Sequence, residues 1–481
     1  MSERFRVIVV GLLVALVVVG LRVDASFDRS REAGDESVAA PMVVAPRGDA
    51  TTASWFCAGM TAAPDGAFDG TVLVANPTGK AVVARVNVVP VAGDVAPKAV
   101  TLDVGPNARG AVRLQDVLQS PYVAALVEVD SGDVIVEHSV TGALGDDLAP
   151  CSPRANEVWH FAGGSTVKDA NLLLAVFNPF PDDAIVDMAF VTSEGRAVPS
   201  ELQGVVIPGR GLVVRDVADF VRRREEVSTT VTARTGRVVV DKIQLVREPR
   251  PGLTLLVGTP TPAPAWDIAE GYITDGVGER IDVYNPNDRE AAVEVGVSLD
   301  DGAVEPFQLT VPAQGRTSID LGEDGRIPLG VGHALTVRAV DGRPIVVEHL
   351  IESHPPSARF GLAAQTGSTS RSSQWVAAAG GATESLDEGI VVHNPGATDV
   401  RFSVFALANG RRFPIEGLQD LEVKAGRRRG VRLGEHLRRP DLPVIVVATS
   451  PVVVQRSLFR VGAGGVSTTP LVPLLPVSPL P

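Results

Sequence analysis

Glu137-His138 and Glu348-His349 are the residues of this chain best suited by type to acid–base chemistry, each a carboxylate beside an imidazole in a Val-rich run. Consecutive side chains of a strand leave on opposite faces, so neither pair can handle one proton as a local unit. The same place in two further runs holds Asp241-Lys242 and Gln455-Arg456, and a polar position exposed on a closing strand accounts for all four. The seven histidines (His138, His160, His333, His349, His354, His393 and His436) do not cluster in sequence. There is no Gly-x-Ser-x-Gly elbow, no His-Glu-x-x-His helix, no Cys-x-x-Cys and no phosphate-binding glycine loop. Asp65-Gly66, Asp69-Gly70 and Asp300-Asp301-Gly302 are fragments of calcium-loop chemistry without its full spacing. No catalytic, cofactor-binding or metal-ligating residue is therefore expected, and the chain reads as a non-enzyme.

Two cysteines remain, Cys57 and Cys151. They bracket one stretch of about a domain's length, and the first and last strands of a sandwich can be neighbours. A disulfide is expected if the chain folds in an oxidising compartment.

The elements that must position these residues repeat. Trp55, Trp159, Trp266 and Trp375 stand 104, 107 and 109 positions apart, and each is followed about twenty residues later by Asn76, Asn178, Asn285 or Asn394, always before proline. A period near 105 is too long for a solenoid unit and right for a domain. Eight, ten and twelve positions after each asparagine come Ala84, Val86 and Val88; Val186, Met188 and Phe190; Val293, Val295 and Val297; and Phe402, Val404 and Ala406. Arg85, Asn87, Asp187, Glu294 and Ser403 intervene, and that alternation predicts a half-buried antiparallel strand. Asn-Pro is a turn device, since proline cannot donate to a ladder and asparagine closes an Asx-turn. One tryptophan per copy beside small residues suits a core or interdomain plug better than a glycan platform. Ser131-Gly132-Asp133, Thr235-Gly236-Arg237 and Asp341-Gly342-Arg343 read as hairpin turns feeding the closing strands. Six or seven strands per copy predict an all-β fold of four tandem immunoglobulin-like β-sandwich repeats after one N-terminal hydrophobic helix.

The ordered set of Trp–Gly-Gly opening, Asn-Pro strand end, Val-x-Val-x-Val strand, Pro-Gly-Arg turn and Val-Val-Val-Glu-His strand resembles the repeats of an actinobacterial domain-of-unknown-function family. It covers roughly residues 50–465, and the third copy departs with Ile268-Ala269-Glu270-Gly271. The resemblance implies secreted or membrane-anchored extracytoplasmic proteins and supplies no catalytic residue.

Residues 1–25 carry Arg4 and Arg6 before the uncharged run Val7–Leu21, which predicts a signal anchor or a cleaved signal peptide. Residues 26–52 read as a flexible tether. The expected repeats are 53–151, 155–258, 264–365 and 373–468, each able to bury its own core, with a Pro-rich tail at 469–481. A proline-dense link (259–264) and a looser Ser/Thr-rich one (353–374) join later copies. The tail suits a strap laid along a domain. Net charge −13 argues against nucleic-acid partners, and Arg222–Arg224 and Arg427–Arg429 read as solvated surface. The expected function is a non-enzymatic, membrane-tethered scaffold or interaction protein of the cell envelope, single-pass with an extracytoplasmic body or secreted if the signal is cleaved. Its partners would be an envelope protein or a cell-wall glycan. The alternative is a cell-wall polysaccharide-binding or assembly-assisting module.

Overall fold

Period-two apolar patterning dictates the architecture: all twelve side chains named above after the asparagines are buried, while Arg85 between them is exposed. The structure, a computed structural model, describes residues 42–64, 66–323, 325–460 and 464–480. The expected N-terminal helix and most of the tether lie outside these residues. Among the described residues the chain is all-β, interrupted by four short 3-10 turns, and no helix is long and apolar enough to cross a membrane.

The first segment contains β1 (Ala53–Met60), β2 (Phe68–Asn76), β3 (Val82–Pro90), β4 (Lys98–Val104), β5 (Ala108–Arg113), β6 (Val123–Val129), β7 (Ile135–Gly142) and β8 (Gly145–Pro150). They form two antiparallel sheets in the orders β1-β6-β3-β4 and β5-β2-β7-β8. The third segment repeats both orders, and the second repeats them with its β4 counterpart broken into two short pieces, Gly195–Ala197 and Val205–Ile207. Trp55, Trp159, Trp266 and Trp375 are each 0–1% exposed and sit in four separate apolar clusters. Three indole N–H groups reach a carbonyl at the start of the closing strand, Val238, Ile345 or Val452.

The expected hairpins into the closing strands are not hairpins. β6 lies in the β1 sheet and β7 in the β2 sheet, so Ser131-Gly132-Asp133 carries the chain from one layer to the other. Asp133, Gly236 and Gly342 take left-handed φ of 56°, 78° and 74° to turn that corner. The fourth segment has Thr449-Ser450-Pro451 there instead, and one continuous strand, Val444–Arg460, serves both layers.

Two segments expected to be loose are ordered. In the presumed tether, Ala45 is buried and its N–H donates to Pro473 O (3.1 Å), while Asp133 N donates to Pro46 O (3.1 Å). In the Ser/Thr-rich stretch, Gly361–Thr366 and Ser370–Ala377 are strands, and Ser368 and Ser372 are buried. The tail runs as a strap along the β1-type strand of the fourth segment, pairing Trp375 with Pro473 and Ser370 with Pro479.

An eighth strand in each segment escaped the sequence reading, and it organises the whole. β8, Gly252–Val257, Gly361–Thr366 and Val466–Pro470 pack against one another in cyclic order about one axis, the last returning to the first. At one end Gly145, Gly361 and Gly465 crowd together: a Cβ on Gly145 would lie 3.4 Å from Gly465 Cα, and one on Gly361 3.3 Å from Gly465 N. The sequence does not show the strand because its burial comes from other segments, not from one face of its own sheet.

Candidate functional site: buried pairs and a cleft at the seams

The acid–cation dyads of the closing strands were expected on the surface. Glu137, His138, Asp241, Lys242, Glu348, His349, Gln455 and Arg456 are all buried, at 0–2% exposure. Both sides of the closing strand are covered by protein, so in three of the dyads alternation sends one residue to one neighbouring segment and the next residue to the other, while His349 turns to Glu279 and Gln365 of its own segment. The acid accepts from backbone amides three and four residues after the tryptophan of the preceding segment. Asp241 Oδ2 takes Ala58 N (2.7 Å) and Gly59 N (2.8 Å), and Glu348 Oε1 takes Ala162 N (2.9 Å). Gln455 Oε1 takes Glu270 N (2.9 Å). Glu137 Oε2 takes Ala378 N (3.0 Å) and Ala379 N (2.7 Å), which carries the pattern from the fourth segment back to the first.

The cation reaches the acid of the following segment. His138 Nε2 lies 3.1 Å from Asp241, Lys242 Nζ 2.5 Å from Glu348, and Arg456 Nη2 2.7 Å from Glu137. Lys242 and Arg456 also donate to the carbonyls of Gly163 and Ala379. Burial pushes the Glu348 carboxyl up against the pull of Lys242, and pushes Glu388, beside Arg456, up to about 8.

The paired glycines after the tryptophans now have a cause. A Cβ on Gly163 would stand 2.5 Å from Asp282 Oδ2 and 3.0 Å from Glu348 Oε2, so only glycine lets the carboxylates close on the strand. The third segment departs with Glu270 at this position, and the partner there is neutral Gln455. Two carboxylates are thereby kept from meeting in a buried seam. The charge shifts elsewhere: Arg428 lies 3.7 Å from Glu270 and donates to Gly271 O (3.1 Å) and His333 O (3.0 Å).

A second pair of positions recurs at each seam, the residue after tryptophan and the residue before the next segment's asparagine. The rings of Phe56 and Phe177 stand 6.4 Å apart, those of His160 and Tyr284 5.9 Å. Asp267 Oδ1 lies 2.6 Å from His393 Nδ1, and Val376 and Ala75 share one apolar cluster. Burial pulls His160 down to about 4, so it stays neutral.

The asparagines are buried brackets. Asn76 Nδ2 donates to Lys80 O (2.6 Å) and Gly105 O (3.0 Å), while Oδ1 accepts from Thr78 N (3.0 Å). Asn178, Asn285 and Asn394 each donate to the carbonyl four residues on and to the end of the β4-type strand. Cys57 and Cys151 are joined, with Cα atoms 4.7 Å apart, and His138 Nδ1 lies 3.3 Å from Cys151 Sγ. The bonded sulfurs leave that trio no thiolate to offer a metal.

Sequence reasoning also missed a buried trio in the third segment. His333 Nε2 lies 2.8 Å and His349 Nε2 3.6 Å from Glu279 Oε2. Burial pushes the Glu279 carboxyl up, but the charges and hydrogen bonds of the two histidines outweigh it and hold the carboxyl well below its usual range. All three are 0–2% exposed, so this geometry can bind no substrate directly.

Solvent does enter between the third and fourth segments. A cleft of about 550 Å³ there is lined by Tyr272, Arg359, Arg428, Arg432, Phe459 and Thr468, among others. Its size is that of pockets holding small organic ligands.

The geometry defines an all-β protein whose polar machinery is spent on joining its own parts. Residues 138–340 match the model of a family of unknown function, DUF5719. No curated protein matches the chain. Among solved structures, the Anabaena sensory rhodopsin transducer is 32% identical over 18% of this chain and 81% of its own, at a TM-score of 0.17. Thermotoga maritima 1070 is 19% identical over 22% and 93%, at 0.19. A Streptomyces avermitilis α-L-rhamnosidase complexed with L-rhamnose is 11% identical over 88% and 56%, at 0.12. At these TM-scores the likenesses carry no argument about fold or activity.

Proposed function

We propose that the chain is four tandem immunoglobulin-like β-sandwich repeats acting as a non-enzymatic scaffold or interaction protein of the cell envelope, tethered to the membrane by its N-terminal segment with the body outside. The observation that carries this reading is the cyclic set of buried cross-links running from Asp241 and Ala58 round to Glu137 and Ala378. A chain of independent beads would act as a spacer of variable reach. A closed ring instead presents a rigid surface. The acid–base groups of the closing strands are held inside it, away from solvent. The Cys57–Cys151 bond supports an oxidising compartment. Protease treatment of intact cells and spheroplasts expressing the full chain tests the placement. Cleavage of the body in intact spheroplasts is expected; resistance until lysis refutes it.

A second reading, a cell-wall polysaccharide-binding module, draws support from the cleft between the third and fourth repeats. Retention of the full chain on purified wall polymer at physiological salt tests it, and absence of retention removes it.

A further inference from the structure

Three guanidinium groups face this cleft, and they are not equally satisfied. Arg428 is held by Glu270 and Asp300 and by two carbonyls. Arg432 Nε donates to Asp387 Oδ2 at 2.8 Å. Arg359 has no carboxylate within 4 Å among the described residues. Its guanidinium instead lies over the Phe459 ring, 3.8 Å from the centroid, with Arg432 at 5.8 Å from the same centroid. Two like charges thus share one aromatic ring: Asp387 bonds Arg432, while Arg359 is offset only by the longer-range fields of Glu270 and Asp387. Burial holds the Arg359 guanidinium below its ordinary value, as expected of a cation with too little compensation.

The half-buried hydroxyls of the lining are those of Tyr272, Thr274 and Ser357, set among apolar Val277, Ile351 and Val466. Glu270 is buried, and its Oε2 lies 3.7 Å from Arg428 Nη2. Asp275 lies at the exposed rim. Two guanidinium groups over one ring, beside half-buried hydroxyls, suit a ligand that brings hydroxyls and one negative charge.

We infer that the cleft between the third and fourth repeats binds an acidic saccharide, its carboxylate or phosphate held between Arg359 and Arg432 and its hydroxyls by Tyr272, Thr274 and Ser357. The inference rests on the polysaccharide-binding reading and narrows it to one site and one ligand chemistry. Guanidinium forks match either oxyanion, and the same geometry leaves a neutral sugar without its strongest contact.

Calorimetric titration of the full chain with digalacturonate, glucose 6-phosphate, maltose and glucose tests it. At least one acid is expected to bind about tenfold tighter than its neutral counterpart, and to weaken with added salt. The acid that binds identifies carboxylate or phosphate as the recognised group. Arg359→Gln should cost about tenfold or more, whereas Arg222→Gln, on the exposed face of the second repeat, should change nothing. Equal affinity for acid and neutral sugars, no binding of either acid in the millimolar range, or full affinity in Arg359→Gln overturns the assignment. The comparison of acid with neutral sugar uses the unaltered chain, so it decides even if the variant fails to fold. Wall-polymer retention that survives Arg359→Gln would overturn the cleft while leaving polysaccharide binding standing; loss of retention by the unaltered chain would remove both.

Discussion

Arg456 Nη2, in the fourth segment, lies 2.7 Å from Glu137 Oε2, in the first, and both side chains are fully buried. This contact joins the last segment to the first. Arg460 adds an ion pair to Asp146, and Arg412 donates to Pro77 O at 2.9 Å across the same seam. The four segments therefore fold as one body, and the closing contact is the place to test that.

Removing Arg456 leaves a buried carboxylate with only amide donors. Arg456→Ala is expected to destabilise the chain by about 3–5 kcal/mol. Glu137→Gln combined with Arg456→Met should cost clearly less than the two single changes together. Urea denaturation of the four proteins measures the coupling; strict additivity would mean the pair contributes nothing to closure.

Deleting residues 369–481 should leave no stable three-segment fragment, because it exposes Glu137 and the faces that β8 and Gly361–Thr366 press on the fourth segment. Tryptophan emission near that of the unfolded chain is the expected readout. A fragment melting cooperatively near the full chain's temperature would show the segments to be independent.

Asn285→Ala removes donors to Arg289 O (2.7 Å) and Pro312 O (3.0 Å) and an acceptor for Asn287 N (3.0 Å), at a site with no solvent to replace them. A loss of about 2–4 kcal/mol is expected. An exposed substitution such as Asp301→Ala serves as the control, within about 0.5 kcal/mol.

Replacing Cys57 and Cys151 by alanine opens a loop of sequence separation 94. On the chain-entropy account the loss is about 4–5 kcal/mol. The comparison is between denaturation midpoints of the oxidised chain and the double variant; equal midpoints would show that the bond stabilises nothing.

Asp147 sits on the central axis, accepting from Leu148 N (2.8 Å) and Leu255 N (2.6 Å), and burial outweighs these donors to push its carboxyl up to about 8. Its folded pKa lies above the unfolded value of 3.8. Between the two, the folded state holds more protons than the unfolded one, so this contribution is complete below about pH 4 and is lost as pH rises through about 8. Asp147→Asn, which keeps a neutral group there, should lose less stability than the unaltered chain between about pH 6 and pH 8.5. Parallel pH profiles would place the titration elsewhere.

The all-β character and the inward faces were legible because strand alternation is a local signal. The Asn-Pro corners were legible too, since each asparagine closes its turn within a few residues. What the sequence hid is what one segment cannot express alone. Glu137 and His138 read as surface residues because nothing nearby in the chain covers them; their partners are Ala378, Ala379 and Asp241, which only the assembled body brings close. The Ser/Thr-rich stretch before Trp375 read as a linker by composition, yet Ser372 Oγ donates to Leu474 O (2.8 Å) in the returning strap. The layer-crossing bend at Gly132 and a hairpin use the same residues, so local chemistry could not separate them.

The recurring seat after each tryptophan holds phenylalanine against phenylalanine, histidine against tyrosine and aspartate against histidine, while Val376 and Ala75 share one apolar cluster. Each joint thus carries its own chemical address. A mispaired joint would bury an unmatched aspartate or imidazole, which favours one cyclic order of the segments. One pair of positions thus carries the order of the segments.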